Sequence, residues 1–408
     1  MKKRIVILTM IFICFVTIGL TQDPNPPISR TNINKLTKIH SFDGECANFD
    51  SNETVITTAY GLFDLVTGEQ RAGISADYAE WVTFSPDGRW LKAGDKLYSV
   101  ETGEIILSLP VSQVYYTFSE DSRFVYIHGI IYDTNTWQEI DEKDIPDFTR
   151  FDGGVVWRDI TSGNGMPTYL SPLGDYWVHA MDGIYRTDTG ELIDLPNEIR
   201  DPAKLESGVF SPNDSLFFIR DDGVYTTPTF EKIYDFVPEV GLGGRISAPF
   251  SPDNDYFAIA ADAIYEAHTG KPLVSITDRA VFSHNNEWAG TSDGLYELAT
   301  GELIHELGSV SSFGPDDKLV IVDQLYVFDT ASGEKRFDLE DVMWRDLYFN
   351  ADGSLLYGVS AGNELLIYDT ANGDMLQTLP ATASILSTNE RYLGLTTNNN
   401  CQLYAIER

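Results

Sequence analysis

Short apolar runs recur along almost the whole chain. Each is four to seven residues long, rich in Phe, Tyr, Val, Ile, Leu and Trp, and cut off by a turn signal. Phe84–Glu104 contains the unit in compact form, with FSPDG, GD and ETGE separating three such runs. In SPDG, proline fixes φ at the second turn position, aspartate accepts backbone hydrogen bonds, and glycine takes the positive φ that ends the turn. The DG and TGE turns suit short hairpin connections in the same way. Runs of this length and composition predict strands rather than helices. Both faces carry apolar residues, as in SLFFI, YFAIA and KLVIV, whereas a sheet with one wet face alternates more cleanly.

The unit repeats. Turns of the first kind open at Phe84, Phe118, Leu170, Phe210, Phe250, Phe282, Phe313 and Phe349, with degenerate copies at Phe49 and Leu386, which makes ten copies. A second element (DKLY, DGIY, DGVY, DAIY, DGLY, DQLY, NELLIY) places Tyr98, Tyr132, Tyr185, Tyr225, Tyr265, Tyr296, Tyr326, Tyr368 and Tyr404 in register, and Phe63 stands there in the first copy. A third element closes most copies: VTGE, ETGE, DTGE, HTGK, ATGE, ASGE or ANGD. Self-similarity at this period marks a repeat architecture. Three hairpin turns per copy give four antiparallel strands, and four strands of about five residues with short turns need roughly 32 residues.

The pattern FSPDG–strand–DGxxY–DTxTGE resembles the WD-repeat and YVTN-type β-propellers, over residues 35 to 408. The tyrosine stands where the WD-repeat has its tryptophan, and aspartate follows the aromatic in Phe63-Asp64, Tyr132-Asp133 and Tyr368-Asp369. No Gly-His opener and no Trp-Asp pair is present. The resemblance implies an all-β fold, a β-propeller of four-stranded antiparallel blades. Ten repeats are counted, and propellers typically have about four to eight blades, so a ring of 8–10 blades and two smaller propellers in tandem both remain open.

Both ends of the chain bear on closure. The last copy supplies three strands and stops at Arg408, while Lys35–Phe42 precedes the first copy and has no repeat of its own. The expectation is that Lys35–Phe42 becomes the outer strand of the last blade, antiparallel to Cys401–Glu407, because an unpaired edge invites aggregation. That pairing would bring Cys46 and Cys401 to one face, as a disulfide or as two buried thiols.

MKKR followed by IVILTMIFICFVTIGL reads as a secretory signal covering residues 1–21, with Gly19 and Thr21 as small residues before a cleavage point. Its alternative is an uncleaved membrane anchor, although 16 apolar residues fall short of the ~20 that span a bilayer. Cys14 lacks the small preceding residues of a lipid-attachment site. Residues 22–34 read as a Pro-rich linker. The expected location is secreted or extracytoplasmic.

Net charge is −34, which repels phosphate backbones and argues against nucleic-acid partners. Much of the acid sits in turns, and no segment matches a calcium loop. The six histidines are scattered without metal-ligand spacing, and no GxSxG, Walker loop or CxxC is present. No cofactor, metal or catalytic residue is assigned. Regularity breaks at three long connections, Glu142–Tyr169, Pro196–Val209 and Val237–Pro249, which carry Trp157, Arg158, Arg200, Lys204 and Arg245. In a propeller these connections emerge on one face, where insertions tend to bind. They read either as tolerated loop growth or as a locally basic rim for a protein or other polar or acidic ligand. The function expected is an exported binding scaffold; the alternative is a propeller hydrolase or lyase with paired carboxylates in a central channel.

The start of the chain yields a direct expectation. Mature protein recovered outside the cytoplasm begins near Gln22 on N-terminal sequencing; an intact Met1 on soluble cytoplasmic protein contradicts export.

Overall fold

The computed structural model describes residues 25–74, 82–108, 116–119, 121–127, 130–140, 150–151, 155–156, 168–179, 183–219, 222–236, 250–339 and 347–406. They form a series of small antiparallel sheets in chain order, one per sequence copy. Copies 1, 2, 5, 7, 8 and 9 each contribute a four-stranded sheet. Copy 1, for example, uses Cys46–Phe49, Val55–Thr58, Gly61–Asp64 and Gln70–Gly73. Copies 3 and 4 have three strands, with a bridge (Tyr132 to Glu139, Tyr185 to Leu192) where the fourth would lie. Copy 6 has three strands and a bridge from Phe250 to Phe257 in place of the first. A two-stranded hairpin, Arg150–Phe151 with Val155–Val156, lies between copies 3 and 4.

The last sheet is completed from the other end of the chain. Leu36–Asp43 pairs antiparallel with Asn400–Ile406, running from Leu36 opposite Ile406 to Asp43 opposite Asn400. The strand lies one residue later than the sequence reading placed it. Cys46 and Cys401 form a disulfide, with an S–S distance of 2.09 Å and Cα atoms 4.7 Å apart. Cys46 belongs to the first strand of copy 1, so the bond joins the last sheet to the first.

Narrow sheets with two apolar faces need cover on both, and each sheet supplies it to the next. Val55 and Leu62 of copy 1 share a buried cluster with Leu91 and Tyr98 of copy 2. The same sharing links copies 2 and 3, and every successive pair from copy 4 to copy 10. Finally Tyr392, Leu403 and Ala405 of copy 10 pack with Ile56, Phe63 and Leu65 of copy 1. Burying such side chains stabilises by about 1.5–3 kcal/mol each.

The first turn of each copy is built as its residues require. Buried Ser85 accepts a hydrogen bond from the Trp90 N–H (3.0 Å) and donates to Asp87 (2.7 Å), whose carboxylate accepts from the Arg89 N–H (3.0 Å). Ser119, Ser251 and Ser283 repeat the arrangement. The fifth turn residue has positive φ in all ten copies, between 53° at Glu53 and 76° at Gly174. Only Gly88, Gly174 and Gly353 are glycine there. The other seven carry a side chain that reaches the turn of the preceding copy and accepts its backbone N–H. Ser122 accepts from Asp87 (3.0 Å), Asp214 from Leu173 and Asp175 (3.2 Å each), Asn254 from Asn213 (3.3 Å), and Asn286 from Asp253 (3.0 Å). Asp317 accepts from His284 (2.9 Å) and Asn285 (2.7 Å), and Glu390 from Ala351 (2.5 Å). Glu53 of copy 1 accepts from Asn389 of copy 10 (2.6 Å).

The TGE glycines answer a second demand. Gly68, Gly270, Gly333 and Gly373 combine positive φ with close cover by a side chain from the preceding sheet's outer strand: His40, Tyr234, His305 and Phe337 respectively. A Cβ there would collide with the ring. His305 Nε2 lies 3.1 Å from the Ala331 carbonyl, and Tyr234 donates to the Ala267 carbonyl at 2.6 Å. His40, from the N-terminal strand, makes the same contact with the Val66 carbonyl at 3.2 Å.

Two readings are corrected. In copy 8 the aromatic in register is Phe328, not Tyr326: Phe328 faces Val320 as Tyr98 faces Leu91, one residue after the same register shift. The described part of residues 22–34 is also not a free linker. Ile28 and Ile33 are buried among Leu355, Tyr357 and Leu393, and Arg30 pairs with buried Asp369 at 2.6 Å. Its proline content suggested an open segment, but two isoleucines and one arginine suffice to hold it on copies 9 and 10.

Peptide mapping without reductant should recover a Cys46–Cys401 cross-linked pair. Replacing both cysteines by serine should lower stability by about 4 kcal/mol, as expected for closing so long a loop, read from denaturant midpoints under oxidising conditions.

Candidate functional site

The connection between copies 4 and 5 is packed. A short 3-10 turn, Asn197–Ile199, leads to the helix Pro202–Ser207, whose start is capped by Asp201 accepting from the Ala203 N–H at 2.9 Å. Ile199 and Leu205 are buried beneath it. Both cations predicted here are engaged within these two copies. Arg200 donates to the Leu195 carbonyl at 2.7 Å and its guanidinium pairs with Asp194. Lys204 reaches the Glu198 carbonyl (2.7 Å) and Asp222 (2.9 Å). Trp157, Arg158 and Arg245 lie outside the described residues.

Asp222 gathers more than Lys204. It sits at the turn into the third strand of copy 5, nearly buried, and also accepts from Lys232 (2.6 Å) and from the Tyr225 hydroxyl (2.9 Å). In DGVY the Asp and Tyr are three residues apart, which a regular strand would put on opposite faces; a register irregularity between Val224 and Tyr225 accompanies their contact, and Tyr265, which follows the same irregularity, donates to Asp262 in the same way at 2.9 Å. Burial alone would raise the Asp222 pKa, but the hydrogen bonds from Lys232, Lys204 and Tyr225 outweigh it and hold it below the usual carboxylate range. Burial and the Asp222 carboxylate push the Tyr225 phenol up to about 12, and the Asp222 bond raises Lys232. Every ionised group in this cluster has a charge partner, which suits a structural network.

A groove lies at the opposite turns, between copies 1, 2 and 3. It encloses about 580 Å³ and is lined by Thr54, Arg71, Arg89, Trp90, Glu101 and Asn135, among others. Arg71, on the outer strand of copy 1, donates to Asp64 (2.5 Å) and to the Val100 carbonyl (2.9 Å). Arg89, next to the positive-φ glycine of copy 2, donates to Asp87 (2.5 Å) and to Asn135 (3.0 Å) of copy 3. Its guanidinium carbon lies 5.6 Å from the centre of the Trp90 ring, and Trp137 meets that ring edge-on at 4.8 Å. A smaller cavity of about 430 Å³ lies where copies 9, 10 and 1 meet, lined by Asn48, Phe49, Tyr348, Ser384, Ser387 and Glu390.

The sequence reading passed over Arg71, Arg89 and Trp90. Each occupies a routine place in its copy, and Arg336 pairs with Asp329 (2.7 Å) as Arg71 pairs with Asp64. Their convergence depends on three copies meeting. Among the described residues no group of three or more His, Cys, Asp or Glu side chains is placed to hold a metal ion, and no helix is long and apolar enough to cross a membrane.

No protein-family model matches the chain, and no curated protein sequence matches it. A solved structure of the computationally designed Ika8 protein aligns over 90% of this chain and 99% of its own, at 14% identity and a TM-score of 0.36. A likeness that low carries no weight for fold or function.

The Asp222 network predicts an acid-sensitive contribution. A depressed folded pKa stabilises above the unfolded value of about 3.9, and that stability is lost as pH falls through the folded value. Asp222→Asn should therefore melt well below the parent protein near neutral pH. The gap in melting temperature should narrow as pH falls below about 4.

Proposed function

We propose that the ten sheets are blades of one β-propeller, similar to the WD-repeat and YVTN-type propellers, and that it is an exported binding scaffold. The observation that carries this reading is the treatment of the chain ends. The N-terminal strand takes the outer place in the last sheet, and His40 meets the Gly68 turn of copy 1 as His305 meets the Gly333 turn of copy 9's neighbour, copy 8. Copy 1 thus follows copy 10 by the same contacts that order the other copies. The Cys46–Cys401 bond is of a kind that persists in oxidising compartments, which supports a place outside the cytoplasm.

Binding is favoured over chemistry by what the described turn acids do. Asp50, Asp214 and Asp317 are buried and accept backbone N–H groups. Groups so engaged hold the scaffold and do not form a general acid–base pair. The partner is a protein or polar ligand taken on the face of the long connections, through Trp157, Arg158 and Arg245 together with Arg200.

Ring closure is tested by removing residues 25–43. The shortened protein should lose its folded monomer, and a synthetic Leu36–Asp43 peptide should restore it; a stable, unchanged monomer without that strand contradicts a single ring. Partner binding is tested by capture from extracellular material with oxidised protein. Changing Arg158, Arg200 and Arg245 to Ser should abolish capture and leave melting nearly unchanged, since exposed ion pairs contribute about 0–1 kcal/mol.

A further inference from the structure

We infer that Asn213, in the first turn of copy 5, is an acceptor for an N-linked oligosaccharide, which rests on the reading of the protein as exported. The chain contains Asn-x-Ser/Thr twice, as Asn52-Glu53-Thr54 and as Asn213-Asp214-Ser215. This triplet is the acceptor pattern of surface loops in secreted proteins. Both triplets fall at the same place in the repeat. The asparagine is the fourth turn residue, and the residue after it has positive φ, 53° at Glu53 and 55° at Asp214. The triplet alone does not choose between the two, but their surroundings do.

Asn213 is exposed, on the turn between the strands Val209–Phe210 and Leu216–Ile219. Its Oδ1 accepts from the Ser211 hydroxyl (2.9 Å), the Ser215 N–H (3.1 Å) and the Ser215 hydroxyl (2.6 Å). Among the described residues no group accepts from its Nδ2, which faces solvent. The chemistry needs this arrangement. An amide nitrogen is a poor nucleophile because its lone pair is delocalised onto oxygen. Donors on Oδ1 stabilise the imidate-like form left when Nδ2 gives up a proton, and that form attacks carbon. The donor is a lipid-pyrophosphate-linked oligosaccharide. The bond from Nδ2 to the sugar C1 forms, the C1–O bond breaks with its electron pair going to the pyrophosphate, and Nδ2 loses one proton. The Ser215 hydroxyl on Oδ1 is what the third residue of the triplet has to supply.

Asn52 is exposed as well, but it is committed. Its Nδ2 donates to the Asp87 carbonyl of copy 2 at 2.9 Å and lies 2.5 Å from where a Cβ on Gly88 would stand. Its Thr54 hydroxyl bonds to Asp50 at 3.0 Å. A sugar on this nitrogen would occupy the place where the turn of copy 2 packs. Copy 7 shows the converse. Asn285 Oδ1 accepts from the Ser283 hydroxyl (2.8 Å) and the Glu287 N–H (3.0 Å), as Asn213 does from Ser211 and Ser215, but Glu287 has no hydroxyl to add.

The test is mass spectrometry of peptides from the exported, oxidised protein, with fragmentation that localises any sugar. The peptide spanning Asn213 should carry sugar mass on that residue, and Asn52 should be bare. Ser215→Ala should remove the modification and Ser215→Thr should keep it. Glu287→Ser should add a second modified residue at Asn285. Ser215 is half-buried and Glu287 exposed, so melting temperatures near that of the parent check that each variant folds. Exported protein with bare Asn213, sugar at Asn52 instead, or sugar that survives Ser215→Ala overturns the inference and leaves export standing. Protein found only in the cytoplasm overturns the reading of export, and the acceptor site with it.

Discussion

A four-stranded sheet of strands this short, apolar on both faces, has no stable life alone. Each face must be covered, and among the described residues every neighbouring pair of sheets but copies 3 and 4 shares a buried cluster that does so. That requirement governs the rest of the structure. It explains why the buried clusters straddle successive copies rather than sit within one, and why Tyr392, Leu403 and Ala405 of the last copy pack on Ile56 and Phe63 of the first. A terminal sheet with one bare face would expose a large apolar patch, and a last sheet with three strands would expose an edge. The strand Leu36–Asp43 removes the second problem, and contact between the end copies removes the first.

Burial orders the sheets, but polar groups at two kinds of turn set their spacing. The fifth residue of the first turn must adopt positive φ, where glycine is the undemanding choice. Seven copies instead accept the strain of Asp, Asn, Ser or Glu, residues of which Asn and Asp tolerate this region best. In return the side chain accepts an N–H from the preceding turn, as Asp317 does from His284 and Asn285. An unpaired buried amide costs more than that strain. At the TGE turns the choice is opposite. The neighbour's outer strand presses so close that any side chain at Gly68 or Gly333 would collide with a histidine. One turn thus links copies by reaching out and the other by standing back.

These links also bear on function. The turn acids Asp50, Asp214 and Asp317 are committed to backbone amides, and Asp222 to two lysines and a tyrosine, so these four carboxylates serve the fold.

Much of this was legible along the chain. The turn chemistry, the short apolar runs and their recurrence determined strands, hairpins and ten copies, because those depend on residues close in sequence. The orphan strand before copy 1 and the short last copy were enough to predict their pairing, and the placing of Cys46 beside Cys401 followed from it. Registers and partners between copies were not legible. In copy 8 Phe328 rather than Tyr326 holds the position that follows the register shift of the third strand, and the two residues suit a strand equally and pack on the same cluster, so the sequence does not distinguish them. Ile28, Ile33 and Arg30 look like linker residues until Leu355 and Asp369 provide places for them. Arg200 and Lys204 read as free charges until the fold brings Asp194 and Asp222 to them. The groove of Arg71, Arg89, Trp90 and Asn135 left no mark in the sequence, since each residue is ordinary in its own repeat. Only tertiary structure sets three copies side by side, because the forces that do so, burial of opposing faces and hydrogen bonds between turns, act between residues about a repeat apart.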